Sequence, residues 1–267
     1  MRTVKDKVIW VTGASSGIGK ELALQLAVMG AKLILTARNE AALEQIKQQV
    51  SFPDRIALLP MDLTQMERIP AMTEKALTFF GGLDALINNA GVSQRSIAID
   101  TDLEVHRKLM EINYFATVAL TKAVLPVFQN QKHGHIAVTS SLAGKFGFYQ
   151  RSAYAASKFA LHGFFETLRL EEEDNKLKVT IWCPGGIKTN ISAHALDGEG
   201  KAYGKMSALQ EEGMPADQCA KHMIEALIQE KEEVVIGEGL QKISTRIKGI
   251  FPTLFWKMLK RNKPADM

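Results

Sequence analysis

Val8-Ile9-Trp10-Val11-Thr12-Gly13-Ala14-Ser15-Ser16-Gly17-Ile18-Gly19 is a β-branched and aromatic run that empties into a glycine-rich turn, after which residues 17–29 take up a helical period. Glycines in that place permit a tight turn, let backbone approach a diphosphate, and allow a helix to pack closely on its strand. The free N–H groups at the start of the helix then bind the anion. The spacing Gly-x-x-x-Gly-x-Gly differs from the commoner Gly-x-Gly-x-x-Gly, and a glycine triplet alone is a weak signal. Its position on the first strand-to-helix turn makes Gly13, Ser15, Ser16, Gly17, Ile18 and Gly19 a candidate dinucleotide cradle.

The same alternation continues outward. Short β-branched runs near 7–12, 32–36, 56–60, 85–88, 135–140, 179–183 and 233–236 are separated by helical patterns near 17–29, 40–50, 65–79, 103–129, 153–173 and 216–229. Strands alternating with helices of this length predict βαβ units. The expected fold is an α/β protein with a single doubly wound parallel sheet of about seven strands, helices on both faces. Residues 1–240 form this domain. Within it, the glycine-rich stretch 191–213 exceeds a usual connection and is expected to cover a site. Residues 241–267 form a basic extension.

Composition excludes several classes. With 46% hydrophobic and 23% charged residues in 267, the chain is neither disordered nor collagen-like. Two cysteines, Cys183 and Cys219, rule out a disulfide framework and fit a reducing compartment. No apolar run approaches the roughly 18 residues of a membrane span, and seven residues before the first strand leave no room for a signal peptide. A cytoplasmic location is therefore expected. The six histidines show no metal-binding spacing, and no metal is assigned. The net charge of +4 divides into −2 for residues 1–239 and +6 for 240–267, so nucleic acid is not expected as a partner of the body.

Four further features carry chemistry. Tyr154 and Lys158, four apart in an Ala-rich helix, project from one face, and an ammonium beside a phenol favours the phenolate. Ser140 and Ser141 follow a strand at the edge where open α/β sheets bind ligands. Asn113 stands mid-helix, where propensity disfavours it. At the end of the second strand, Leu35-Thr36-Ala37-Arg38 lacks the carboxylate that receives an NAD ribose. A guanidinium there suits a 2′-phosphate, which predicts NADP(H) framed by Thr36 and Arg38.

In the order Thr12 to Gly19, Asn88-Asn89-Ala90-Gly91, Asn113, Ser141, Tyr154-Ala155-Ala156-Ser157-Lys158 and Pro184-Gly185-Gly186-Ile187-Lys188-Thr189, the chain resembles the short-chain dehydrogenase/reductase family over roughly residues 5 to 240. The resemblance implies Tyr154 as general acid/base, Lys158 tuning it and holding the nicotinamide ribose, and Asn113 bending its helix and anchoring a water. Family spacing selects Ser141 over Ser140 as the substrate-positioning serine. By the same resemblance, Asp62 meets the adenine amino group, the alternative being a helix N-cap. Asn89, Ala90 and Gly91 line the cofactor and brace the sheet, and Pro184, Gly185, Ile187 and Thr189 hold the nicotinamide end. It implies a homodimer or homotetramer built on the helices of Asn113 and Tyr154.

The expected activity is hydride transfer between a nicotinamide cofactor and a carbonyl or secondary alcohol. A catalytically silent NADP(H)-binding sensor or scaffold is the rival, and it is disfavoured because both Tyr154 and Lys158 are present. Ala143, Phe146, Phe148 and Tyr149 are expected at the substrate pocket, which suggests a lipophilic small molecule. In the extension, Leu240, Ile243, Ile247, Ile250, Leu254 and Met258 predict an amphipathic helix broken near Pro252. Packing on the body or a neighbouring subunit is the expected fate of that stripe, ahead of peripheral contact with a membrane.

Overall fold

The computed structural model describes residues 1–205, 211–261 and 263. Residues 206–210 of the covering segment, and 262 and 264–267 of the extension, lie outside the described residues.

An inner strand, β1 (Val8–Thr12), is buried along its whole length because it is hydrogen-bonded on both edges and covered on both faces. On one side it pairs with β2 (Lys32–Thr36), which pairs with β3 (Ile56–Leu58). On the other it pairs with β4 (Ala85–Asn88), followed by β5 (Gly134–Thr139), β6 (Leu177–Pro184) and, at the far edge, β9 (Glu233–Ile236). All six pairings are parallel and give the order β3-β2-β1-β4-β5-β6-β9, as the alternation predicts. β7 (Ile187–Lys188) and β8 (Met214–Pro215) form a small separate parallel pair that the periodicity did not signal.

Side-chain alternation sorts the strands between two cores. Ile9, Val11, Leu33 and Leu35 meet α1 (Gly17–Val28), α2 (Glu40–Gln49) and α7 (Ala216–Ile228) through Leu22, Leu26, Ile46 and Met223. Trp10, Ile34 and Leu86 meet α3 (Ile69–Phe80), α5 (Ala116–Gln131) and α6 (Ser152–Glu171) through Ala76, Val124 and Phe165. Successive strands run outward from β1 on both sides. The connections therefore part between β1 and β4, and a crevice opens at their carboxyl ends.

Three boundaries differ from expectation. The helical pattern of 103–129 is α4 (Leu103–Met110), a wider π turn over Glu111–Phe115, and α5, so the element containing Asn113 is interrupted where a polar side chain is buried. Residues 65–68 hold a short 3₁₀ turn, and α3 begins at Ile69-Pro70, where proline suits a first helical turn. β3 ends at Leu58, although Leu59 and Met61 still donate to Leu35 and Ala37 carbonyls beyond it.

The extension divides at Pro252 as predicted, into α8 (Leu240–Ile250) and α9 (Pro252–Arg261). It packs on the body through a stripe that shares only Ile247 with the expected one. Phe255 is buried against Leu142 and Phe146, with Phe148, Ile247 and Leu259 around them. Lys248 Nζ donates to the Lys145 carbonyl, and Gln241 Oε1 accepts from Gly186 N. Of the predicted stripe, Leu240, Ile243, Ile250 and Leu254 face outward.

Phe255→Ala removes the aromatic plug that holds the extension. Trypsin, which cuts after its many basic residues, is expected to clip the variant within 242–261 much faster than the wild type while the body stays intact. Unchanged digestion would show that the plug does not anchor it.

Candidate active site

The turn between β1 and α1 is built on absent side chains. Gly13 has φ +64°, and a Cβ there would stand 2.8 Å from Ala90 Cα. A Cβ on Gly19 would reach 2.1 Å from the Gly13 carbonyl oxygen. Ser16 is the N-cap residue of α1, yet its side chain takes none of the free N–H groups, which leaves them directed at the crevice. Gly17 lies against Thr189, since a Cβ there would be 3.2 Å from Thr189 Cγ2.

Strand ends are tied together above this turn. Thr12 Oγ1 accepts from the N–H groups of Asn89 and Ala90, at 3.0 and 3.1 Å. Asn89 Nδ2 donates to the Thr12 and Gly13 carbonyls, and its Oδ1 accepts from Thr139 Oγ1. Asn88 Nδ2 donates to Thr121 on α5. One residue thus links β1, β4 and β5 at the edge where the cleft begins.

A continuous cleft of about 370 Å³ follows. It is lined by every sequence-assigned cofactor residue, from Arg38 and Asp62 at one end, past Gly13 to Gly19 and Asn89 to Gly91, to Pro184, Gly185, Ile187 and Thr189 at the other. Ser141, Tyr154 and Lys158 line it as well. Thr36 is fully buried and its Oγ1 accepts from the Trp10 indole N–H at 2.8 Å, so its side chain is turned into the sheet, whereas Arg38 is exposed at the mouth. Asp62 caps a turn rather than a helix, with Oδ1 accepting from Thr64 N and Oγ1. Partial burial raises its pKa, but those bonds and the Arg38 charge outweigh it and hold the carboxyl below its ordinary value.

At the far end, Ser141 Oγ accepts from Ala143 N and donates to the Pro184 carbonyl at 3.4 Å, and Tyr154 shares the same end of the cleft. Lys158 was expected to pull the Tyr154 pKa down. Its Nζ instead donates to the Thr139 carbonyl at 2.8 Å and lies 5.8 Å from the Tyr154 ring centroid. Burial dominates and raises the tyrosine pKa, with Ser141 and Arg151 opposing it. Burial also brings Lys158 down to about 8, which leaves its charge responsive near neutral pH. Asn113 sits behind the cleft, 1% exposed, with its side chain fully engaged: Oδ1 accepts from Val92 N, and Nδ2 donates to Val92 O and Ser157 Oγ. It buttresses the Tyr154 helix, because Ser157 Oγ in turn donates to the Tyr154 carbonyl.

Some pairings that matter here carry no sequence signal. Ser140 Oγ donates to the Lys158 carbonyl and meets His162 Nε2 at 3.0 Å, while His162 Nδ1 faces Glu233 and Glu166, each at 3.4 Å. Cys183, Glu233 and His162 offer ligand atoms within 4.8 Å, but the carboxylates take one ring nitrogen and the thiol and Ser140 take the other. The group therefore reads as a hydrogen-bond chain. Arg151 at the start of α6 donates to Ser93 Oγ and the Gln94 carbonyl, fastening the loop after β4 to the helix that carries Tyr154 and Lys158. Only proximity in the fold reveals these pairings. Conversely, Ala143, Phe146, Phe148 and Tyr149 do not line the cleft; Phe146 and Phe148 hold Phe255 instead. From the covering segment, Ile191 and His194 enter the cleft, and Leu196 is bonded to Ser93 and Arg95.

The fold and cleft define a dinucleotide-binding α/β protein with a Ser-Tyr-Lys cluster at the reactive end. Comparison with known proteins narrows the class. The sequence profile described as short chain dehydrogenase matches residues 7–200. The mouse (Mus musculus) dehydrogenase/reductase SDR family member 7B is 38% identical over 261 residues, covering 96% of this chain and 81% of that protein. A short-chain dehydrogenase from Streptomyces avermitilis superposes with a TM-score of 0.82 at 30% identity, covering 97% and 99% of the two chains. An alcohol dehydrogenase from Thermococcus sibiricus, complexed with 5-hydroxy-NADP, gives 0.73 at 25%, covering 86% and 96%. A short chain dehydrogenase/reductase from Burkholderia phymatum in complex with NAD shares the fold, at 0.81 and 20% identity with coverage of 100% and 99%. The chain belongs to the short-chain dehydrogenase/reductase family, whose members are oxidoreductases that bind a nicotinamide cofactor and act on small molecules.

Bonds from His162 and Lys145 outweigh burial and bring the Glu233 carboxyl down from its ordinary 4.5 to about 2. A depressed acid contributes stability that is present above pH 4.5 and lost as pH falls toward 2. Glu233→Gln is expected to lower the urea midpoint at pH 7, and the gap to wild type should close steadily between pH 4.5 and 2. A gap independent of pH would contradict the ionised chain.

Proposed function

We propose that the protein is an NADP(H)-dependent reductase of lipophilic ketones or aldehydes, with Tyr154 as general acid and Ser141 positioning the carbonyl oxygen. The observation that carries this reading is the gathering of Ser141, Tyr154 and Lys158 at one end of a single cleft whose other end presents Arg38. A cofactor stretched along that cleft fits the glycine turn, where a side chain on Gly13 or Gly19 would strike backbone.

Bound nicotinamide supplies or accepts the hydride; the protein orients and polarises. Tyr154 keeps its phenol protonated, because burial raises its pKa, and its Oη is thus a proton donor at neutral pH. Ser141 Oγ donates toward the same oxygen, fixing it against the phenol. Lys158 holds a cation beneath the Tyr154 ring that balances the phenolate left after proton transfer.

Arg38 supports NADP(H) over NAD(H). Its exposed guanidinium stands at the mouth where a ribose phosphate would lie, and no acid follows β2 until Glu40 on α2. Exposed Leu103, Phe115 and Phe159 on α4, the π turn and α6 support a homodimer or homotetramer through those helices. The two buried cysteines, whose thiol pKa values burial raises, suit a reducing cytoplasm.

Tyr154→Phe is expected to retain NADPH binding while turnover of an aromatic ketone falls about 100-fold or more; near-normal turnover overturns the assignment. Wild type is expected to bind NADPH at least about tenfold more tightly than NADH, and Arg38→Asp to reverse the order. Equal affinities in the wild type defeat the cofactor reading.

A further inference from the structure

The extension carries two apolar faces, and the body uses one. Ser244 and Ile247 on α8, with Phe255 and Leu259 on α9, turn inward. Left outside are Leu240, Ile243, Ile250, Phe251, Leu254 and Trp256, with Phe251 59% and Trp256 40% exposed. No other stretch of comparable length among the described residues exposes six large apolar side chains. An apolar surface of this density on a folded helix pair marks a docking face.

Its surroundings specify the partner. Lys242 and Arg246, one turn apart on α8, lie beside the line of Ile243 and Ile250; Lys257, Lys260 and Arg261 occupy the outward side of α9 between Leu254 and Trp256. All five are exposed, and none is paired with a carboxylate among the described residues. Aromatics and aliphatics interleaved with unpaired cations match a surface that is negative at its face and apolar just beneath it. A second copy of the extension would bring +6 against +6, and the body of a second copy offers a net charge of only −2.

We propose that α8 and α9 dock the protein peripherally on an anionic lipid bilayer, with Phe251 and Trp256 entering the headgroup region and the five cations on lipid phosphates. The face lies near the cleft. Gln241 on α8 accepts from Gly186 N, next to Gly185 in the cleft wall, so a docked extension brings the reactive end of the site close to the membrane surface. No described helix is long and apolar enough to cross the bilayer, which confines the interaction to one leaflet.

The test is co-sedimentation of the full chain with phosphatidylcholine vesicles, with and without phosphatidylglycerol, at low and high salt. Wild type is expected to sediment with the anionic vesicles only and to be released by salt. Two variants of exposed residues, Lys257→Glu/Lys260→Glu/Arg261→Glu and Phe251→Ser/Trp256→Ser, should each lower partitioning at least about tenfold, with thermal unfolding and molar mass in solution unchanged. Equal binding to neutral vesicles, or variants that bind as wild type does, overturns the proposal. So does a wild type that ignores vesicles while the variants lose molar mass, which assigns the face to a second copy.

Discussion

The structure depends on one close approach, that of α1 to the end of β1. A Cβ on Gly19 would stand 2.1 Å from the Gly13 carbonyl oxygen, closer than any side chain can exist. Because both positions are glycine, the helix starts directly above the strand, its unpaired N–H groups face the crevice, and β4 can pass against Gly13 through Ala90. Thr12 then ties β4 to β1 through the Asn89 and Ala90 N–H groups, and Asn89 carries the tie on to Thr139 of β5. Each end of the cleft is measured from this junction.

The α6 side chains that line the cleft are held by a second, independent set of buried polar bonds. Asn113 sits in a π turn, where the wider backbone ring lets it point sideways into the loop after β4 and across to Ser157. From the opposite flank, Glu233 on the last strand reaches His162, which meets Ser140, whose hydroxyl donates to the Lys158 carbonyl. The α6 helix is thus gripped on two sides around Tyr154 and Lys158. Buried polar groups so connected resist displacement because any break leaves an unsatisfied partner away from water.

Much of this was legible beforehand. Parallel strands buried on both faces must be continuous apolar runs, and β1, β4 and β6 announced themselves in that way. Glycines demanded by close approach, and a Tyr and Lys one helical turn apart, left equally local marks at Gly13, Gly19, Tyr154 and Lys158. Other expectations failed where the deciding neighbour is distant in sequence. Phe146 and Phe148 were given to the substrate pocket, whereas Phe255, more than a hundred residues away, claims them. The tyrosine pKa was expected to fall under the influence of Lys158, but the ammonium is bonded to the Thr139 carbonyl and desolvation wins.

Local periodicity and residue chemistry therefore determined the doubly wound sheet, the glycine turn, the placing of Tyr154 and Lys158 one helical turn apart, and the charge division between body and extension. Side-chain direction along a helix was a different matter. The apolar positions of α8 and α9 are clear in the sequence, yet Ile247 and Phe255 turn inward while Ile243, Phe251 and Trp256 stay in solvent. Either face could have covered Leu142 and Phe146; the choice lies with the path of the chain after β9 and the anchoring of Gln241 and Lys248. Amphipathicity says that a helix has a face to bury, and only the shape of the surface beneath it selects which.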